Sequence, residues 1–83
     1  MLGPKGLRSE HLLKMKELFD SIISSAGKDP EDFYQYWKKE AENIYMQVAD
    51  LPTDEAFEKA MRMIETSARF ELVRRDVVRN LLG

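Results

Sequence analysis

The chain has 83 residues, enough for one domain at most, and it contains no cysteine and a single histidine. These counts exclude disulfides, thiolate metal sites and sites built from several histidines. The net charge of −2 at pH 7 gives no overall attraction to nucleic acid, and no apolar run is long enough to span a membrane. A core of this size is marginally stable, so oligomerisation or close helix packing is expected to add stability.

The N-terminal part of the sequence predicts a short lead-in followed by a helix. Residues 1–8 contain two glycines and one proline, which interrupt regular secondary structure, and they are expected to be flexible. The single helical domain is therefore predicted to cover residues 9–83. Ser9 is a good N-cap, and Gly27 can adopt the left-handed conformation that ends a helix. Between them apolar residues recur every three or four positions, which predicts helix one at residues 10–26.

A second helix is predicted at residues 30–50. Asp29 can cap it, and Pro30 suits the first helical position. Glu31 and Asp32 complement the positive end of the helix dipole. The helix is expected to stop before Pro52, because proline disfavours a helical conformation at the residue preceding it.

The second helix carries five of the chain's eight aromatic residues. With Phe33 placed at zero on a helical wheel, Trp37 falls near 40°, Tyr34 near 100° and Tyr45 near 120°. These four are therefore predicted to face the core. Tyr36 falls near 300°, so it is predicted to point to solvent and to offer a contact site on this helix.

The third helix is predicted at residues 54–82 with Thr53 as its cap. Neither glycine nor proline interrupts the sequence from there until Gly83, and the apolar rhythm continues to the end. No segment alternates with period two, so no strand is expected and the fold class is all-α. The apolar positions drift along this helix, which disfavours a long coiled coil.

Short connections predict an antiparallel, up-down-up arrangement of the three helices. Their lengths, about 26, 31 and 43 Å, do not match, so the third helix should project beyond the others or bend near residues 69–70. Apolar residues in the projecting part predict an interface, most simply in a two-fold homodimer, or with a larger protein partner. The predicted interface residues are Phe70, Val73, Val77, Val78, Leu81 and Leu82.

The sequence offers little catalytic chemistry. His11 lies in a first helical turn without a nucleophile or an orienting partner, so it is interpreted as a surface residue. The carboxylates of helix two lack the Glu-x-x-His pairs of di-iron bundles and are interpreted as capping and solubilising groups. We therefore expect no enzyme activity, no cofactor and no bound metal.

Basic residues on helix three leave a nucleic-acid alternative open. The candidates for phosphate contacts are Arg69, Arg74, Arg75 and Arg79. Glutamates interleave with them, and Glu71 with Arg75 forms an i, i+4 pair in the favourable order, so a structural role is preferred. Residues 29–52, with two basic and six acidic residues, do not resemble the first half of a helix-turn-helix.

The order of features resembles the C-terminal helical part of the accessory E subunit of class III polyhydroxyalkanoate synthases. The matching elements are Leu2-Gly3, His11, Gly27-Lys28, Trp37 followed by Glu42 and Tyr45, Phe57 within DEAFEKA, and the terminal LLG. The resemblance implies a non-catalytic subunit that associates with a separate catalytic chain. The N-terminus lacks the apolar region of a secretory signal, so we expect a cytoplasmic protein. The expected function is a helical interaction module, with the accessory subunit as its specific form, and the alternative is a small nucleic-acid-binding regulator.

Overall fold

The computed structural model describes residues 5–83 and contains three α-helices and one short 3₁₀ turn. The elements are α1 (Ser9–Ser25), the 3₁₀ turn (Pro30–Phe33), α2 (Tyr34–Gln47) and α3 (Thr53–Leu82). Within these residues there is no strand, and an isolated bridge joins Lys5 to Pro52. The predicted all-α class and the three helices are confirmed.

The helices run up, down and up. The bridge between Lys5 and Pro52 joins the segments that precede α1 and α3, so these two helices start at the same end of the molecule. Arg75 near the end of α3 bonds to the carbonyl of Asp32 before α2, whereas Ser67, two turns earlier, bonds to Tyr36. Later residues of α3 thus contact earlier residues of the segment that contains α2, so α2 is antiparallel to α3.

Phe19 lies at the centre of a core to which all three helices contribute. Its ring centroid lies 5.5 Å from that of Trp37 and 6.4 Å from that of Phe33, and the side chain is fully buried. Such aromatic clusters contribute large buried area and favourable edge contacts. The buried core residues are Leu7, Met15, Phe19, Ile23, Phe33, Trp37, Ile44, Val48, Ala56, Ala60, Ile64 and Ala68.

Small residues on α3 allow the other helices to approach it closely. Ala56, Ala60 and Ala68 are fully buried and follow each other at steps of four or eight residues along α3, with Ile64 between them. The large side chains of the core come mainly from α1 and α2. Alanine also favours the helix itself, so the same residues support both the length of α3 and its packing.

The C-terminus of α1 is a Schellman motif, as Gly27 predicted. Gly27 has φ of +78°, its N–H donates to Ser24 O, and the N–H of Lys28 donates to Ile23 O. The last carbonyl groups of a helix have no partner within the helix, and these two hydrogen bonds satisfy two of them. Glycine adopts the required left-handed conformation without a steric penalty. The helix ends at Ser25, one residue before the predicted end.

The N-terminus of α1 differs from the prediction. Ser9 is the first helical residue, and Arg8 occupies the N-cap position. The Nδ1 atom of His11 accepts a hydrogen bond from the Arg8 N–H at 3.1 Å. The His11 side chain, in the first turn of the helix, therefore satisfies the backbone N–H of the N-cap residue. The prediction of Ser9 as the N-cap was wrong by one residue and did not include this bond.

Part of the predicted lead-in packs on the domain. Leu7 is 5% exposed and belongs to the core, and the N–H of Gly6 donates to Leu51 O at 2.8 Å. Gly6 has φ of +77° and lies close to the backbone of Ala49, so a side chain there would be strained and crowded. The core thus reaches into residues 5–8, and the rest of the predicted lead-in lies outside the described residues.

Helix two is shorter than predicted and rotated. Asp29 caps the segment through a bond from the Glu31 N–H, but residues 30–33 form a 3₁₀ turn and the α-helix ends at Gln47. Val48 starts the turn that leads to Pro52, because its carbonyl accepts from the Leu51 N–H.

Three of the five aromatic assignments on this segment were wrong. Tyr34 and Tyr45 are 50% and 45% exposed, and Tyr36 is half-buried. The buried face of α2 is centred on Phe33, Trp37 and Ile44, roughly 40° from the predicted centre. The rotation places Tyr36 against α3 and turns the other two tyrosines outward.

Candidate interaction surface

Helix α3 continues beyond the other helices, as the length mismatch predicted. It is one uninterrupted helix from Thr53 to Leu82, without a break at residues 69–70, in a molecule measuring 57 × 19 × 17 Å. Leu72 still packs against the core, but every residue from 76 to 83 is exposed. We call residues 73–82 the C-terminal extension.

The predicted interface residues are indeed exposed. Val78 is the least exposed of them at 38%, and Leu82 the most exposed at 84%. Between these values lie Phe70, Val73, Val77 and Leu81. An apolar group of this kind on a small protein usually marks a surface for another molecule.

The structure separates two apolar faces on α3 that the sequence had merged into one drifting stripe. The core face follows steps of four residues through Ala60, Ile64 and Ala68. The second face lies roughly 120° away around the helix. We call it the apolar stripe, and its members are Met63, Phe70, Val73, Val77 and Leu81, together with the polar Thr66 that lies in line with them.

An open groove between α2 and α3 continues the apolar stripe towards the body of the molecule. The groove has a volume of about 690 Å³. Met63, Thr66 and Phe70 form its α3 side, together with Lys59, Arg62 and Ser67, and the α2 side comes from Tyr36 and Glu40. Phe70 belongs both to the groove and to the apolar stripe, and the stripe continues through Val73, Val77 and Leu81 of the extension, so the groove and the extension are joined by one surface.

Tyr36 forms one wall of this groove. Its hydroxyl group lies 2.7 Å from Ser67 Oγ, and its ring stacks on Phe19 with centroids 6.2 Å apart. Burial raises the pKa of the Tyr36 phenol above its ordinary value, an effect that the Ser67 hydrogen bond partly offsets. The predicted contact residue therefore lines the candidate site, but its hydroxyl and ring are already engaged by Ser67 and Phe19.

Two of the four candidate arginines are held by Glu71. This carboxylate is 2% exposed, and Arg74 binds it with two parallel hydrogen bonds, Nε to Oε1 and Nη2 to Oε2. Arg75 Nε lies 3.4 Å from Oε2. The hydrogen bond from Arg74 is the largest cause that lowers the pKa of Glu71, ahead of the opposing effect of burial.

The sequence predicted the pair of Glu71 with Arg75. It did not predict that Glu71 is buried or that Arg74 also binds it. Two arginines at three and four residues after a glutamate were the available signal. Arg69 and Arg79 are exposed and, within residues 5–83, neither has an ion-pair partner. The four arginines therefore do not form one free basic patch.

His11 has a structural environment. Besides accepting the Arg8 N–H, its imidazole stacks on the Phe57 ring with centroids 4.6 Å apart and an interplanar angle of 28°. The ring thus links the start of α1 to the first turns of α3. In the described part of the chain, no group of three or more His, Cys, Asp or Glu residues could hold a metal ion.

A second depression, between α1 and the 3₁₀ turn, is smaller and more polar. Its volume is about 500 Å³, and Lys16 and Asp20 on its rim already pair with each other. Among the helices described, none has the length and apolar character needed to cross a membrane.

No family model matches the chain, and neither a curated protein nor a solved structure matches it.

Proposed function

We propose that this chain is a non-catalytic helical interaction module that assembles with protein through the apolar stripe and the C-terminal extension. The occupant is a second copy of the chain or a larger protein partner. The observation that carries the proposal is the exposure of six apolar side chains at the end of α3, continuous with a groove. Burying one large apolar side chain contributes about 1.5–3 kcal/mol, so covering several gives a substantial driving force.

The specific form that the family resemblance implies is an accessory subunit of a polyhydroxyalkanoate synthase in the cytoplasm. Such a subunit associates with a catalytic chain, and the extension offers an exposed apolar surface for that contact. Its test is retention of the catalytic synthase subunit by the immobilised chain. Wild type and a control variant, Met46→Asp, should retain that subunit, and Val77→Asp should not.

The same two variants test self-association by light scattering and sedimentation velocity. Val77 is 51% exposed in the extension and Met46 is 71% exposed on α2, so each substitution places a carboxylate at an exposed apolar position of a helix. Wild type and Met46→Asp should exceed the 9.7 kDa monomer mass at micromolar concentrations, and Val77→Asp should not. The proposal fails if wild type stays monomeric up to submillimolar concentrations and also does not bind the synthase subunit.

The nucleic-acid alternative is less well supported, because Arg74 and Arg75 already contact Glu71. Arg69 and Arg79 are the exposed candidates that remain. Duplex binding that weakens steeply with salt, and that Arg69→Ala reduces, would favour this alternative over the interaction module.

A further inference from the structure

We infer that the occupant of the apolar stripe is a second copy of this chain, lying antiparallel across a two-fold axis with Arg69 opposite Asp76 of the second copy. This inference rests on the proposed function and adds the partner, its direction and its register.

The spacing of the apolar stripe is that of a two-stranded helical seam. From Met63 through Thr66, Phe70 and Val73 to Val77 the steps are three, four, three and four residues. Such alternation keeps apolar side chains facing a partner helix over several turns. The core face, with its steps of four, lacks this alternation and is already covered by α1 and α2.

The charges beside the stripe are arranged for an antiparallel copy. Arg69 and Asp76 flank the stripe on one side, seven residues apart, and Ser67 and Arg74 flank it on the other. In the part of the chain that the structure describes, neither Arg69 nor Asp76 has an ion-pair partner. Two turns of helix separate them by about 10 Å, so they do not satisfy each other within one chain.

Antiparallel pairing with Phe70 opposite Val73 of the second copy satisfies both charges. In that register Thr66 faces Val77 of the second copy, and Arg69 faces its Asp76. The two-fold axis repeats the ion pair, so the interface contains two of them. Arg74 meets the uncharged Ser67 of the second copy, so no like charges face each other.

Other arrangements of the same helices bring like charges together. In a parallel pair, Arg69 would face Arg74 of the second copy. Sliding the antiparallel pair by one heptad places Arg69 opposite Arg69, or Asp76 opposite Asp76. Like-charge contacts of this kind select one orientation and register against the others.

The same register covers the groove. Val77 and Leu81 of the second copy lie over Thr66 and Met63, where the groove opens between α2 and α3. The extension of each copy thereby occupies the groove of the other. One symmetric contact accounts for the exposure of the extension and for the open groove beside it.

Charge reversal tests the register. Arg69→Asp and Asp76→Arg should each weaken the dimer by about tenfold in Kd, because each creates two like-charge contacts. The double variant restores the opposite charges and should return Kd close to the wild-type value. The single-variant effects should shrink in high salt. In a parallel dimer Arg69→Asp would instead tighten association, since it would face Arg74.

Cross-linking gives an independent reading, because the chain has no cysteine of its own. Thr66→Cys and Val77→Cys variants should form a mixed disulfide when combined, and little disulfide when oxidised separately. Facing positions bring the two Cα atoms within the roughly 7 Å that a disulfide requires. Circular dichroism of each variant checks that the helices are intact.

The outcomes separate this inference from the proposed function. If Val77→Asp abolishes a dimer that charge reversal does not weaken and rescue, or each cysteine variant cross-links alone, the antiparallel register is overturned and the interaction module stands. If wild type is monomeric but captures the synthase subunit, or binds duplex instead, the second copy is overturned as the occupant.

Discussion

The guanidinium carbon of Arg75 lies 3.6 Å from the centroid of the Phe33 ring, where the last core-packed turn of α3 meets the 3₁₀ turn. Its Nη1 also donates to Asp32 O at 3.1 Å, and its Nε points to Glu71. A cation over an aromatic face is favourable, and the Arg75 guanidinium thereby covers the Phe33 ring at the edge of the core. Arg75 thus anchors the first residues of the C-terminal extension, and within residues 5–83 every position after it, from 76 to 83, is exposed.

Replacing Glu71 by glutamine should destabilise the fold by about 1 kcal/mol, because it removes the charge to which Arg74 and Arg75 hydrogen-bond, while both guanidinium groups stay accessible to water. Glu65→Gln is the matched control, since Glu65 is exposed on the same helix. Urea unfolding monitored by circular dichroism measures both. A loss for Glu71→Gln no larger than for Glu65→Gln would show that the buried ion pair is not stabilising.

The contribution of Glu71 should depend on pH in a defined direction. Its folded-state pKa lies below the ordinary value of 4.5, chiefly because Arg74 hydrogen-bonds to the carboxylate. The charged form therefore stabilises the fold fully above pH 4.5, and this stabilisation is lost as pH falls through the lower folded-state pKa. The stability difference between wild type and Glu71→Gln should be constant near neutrality and shrink in acid. A difference that grows in acid would contradict the assigned shift.

Tyr36→Phe should cost about 1 kcal/mol, because it removes the hydroxyl that pairs with Ser67 between α2 and α3. Ser67→Ala should cost a similar amount, and the double variant less than the sum of the two, because both lose the same bond. Thermal unfolding of the four proteins gives this coupling. Simple additivity would mean that the bond at the groove wall is absent in solution.

Alkaline titration checks the same tyrosine. Its raised pKa means that the neutral phenol is favoured in the fold, so stability should fall once pH exceeds the ordinary value of 10.0 and the unfolded chain ionises first. Absorbance of tyrosinate should show a titration step above that value that disappears in Tyr36→Phe. A wild-type curve that superimposes on the variant curve after scaling would argue against burial of Tyr36.

Gly27→Ala should destabilise the fold by about 1 kcal/mol through backbone strain alone. Gly27 has φ of +78°, and apart from its chain neighbours no atom of residues 5–83 lies within 4 Å of the position that a Cβ would take, so crowding is not involved. Gly27→Asn should cost less, because asparagine tolerates this conformation better. Equal losses for the two variants in urea unfolding would point to a cause other than φ.

Helix existence and several helix ends could be predicted because they depend on neighbours in the sequence. Asp29 caps the 3₁₀ turn, Gly27 closes α1, and α3 runs without interruption from Thr53 to Leu82. The exposure of the extension also followed from sequence, since it needs only helix lengths and short connections.

The tertiary structure decided which side of each helix is covered. A small rotation of α2 exchanges the surroundings of Tyr34 and Tyr36, and a helical wheel cannot show it because both faces contain aromatic residues. The same limit applies to Glu71, which the sequence suggests is a surface residue but which is 2% exposed and bonded to Arg74 and Arg75. On α3 the sequence shows one drifting stripe, and only the positions of α1 and α2 divide it into a covered core face and an uncovered apolar stripe. Local chain chemistry therefore determined the helices of this protein, whereas long-range packing decided what their surfaces can bind.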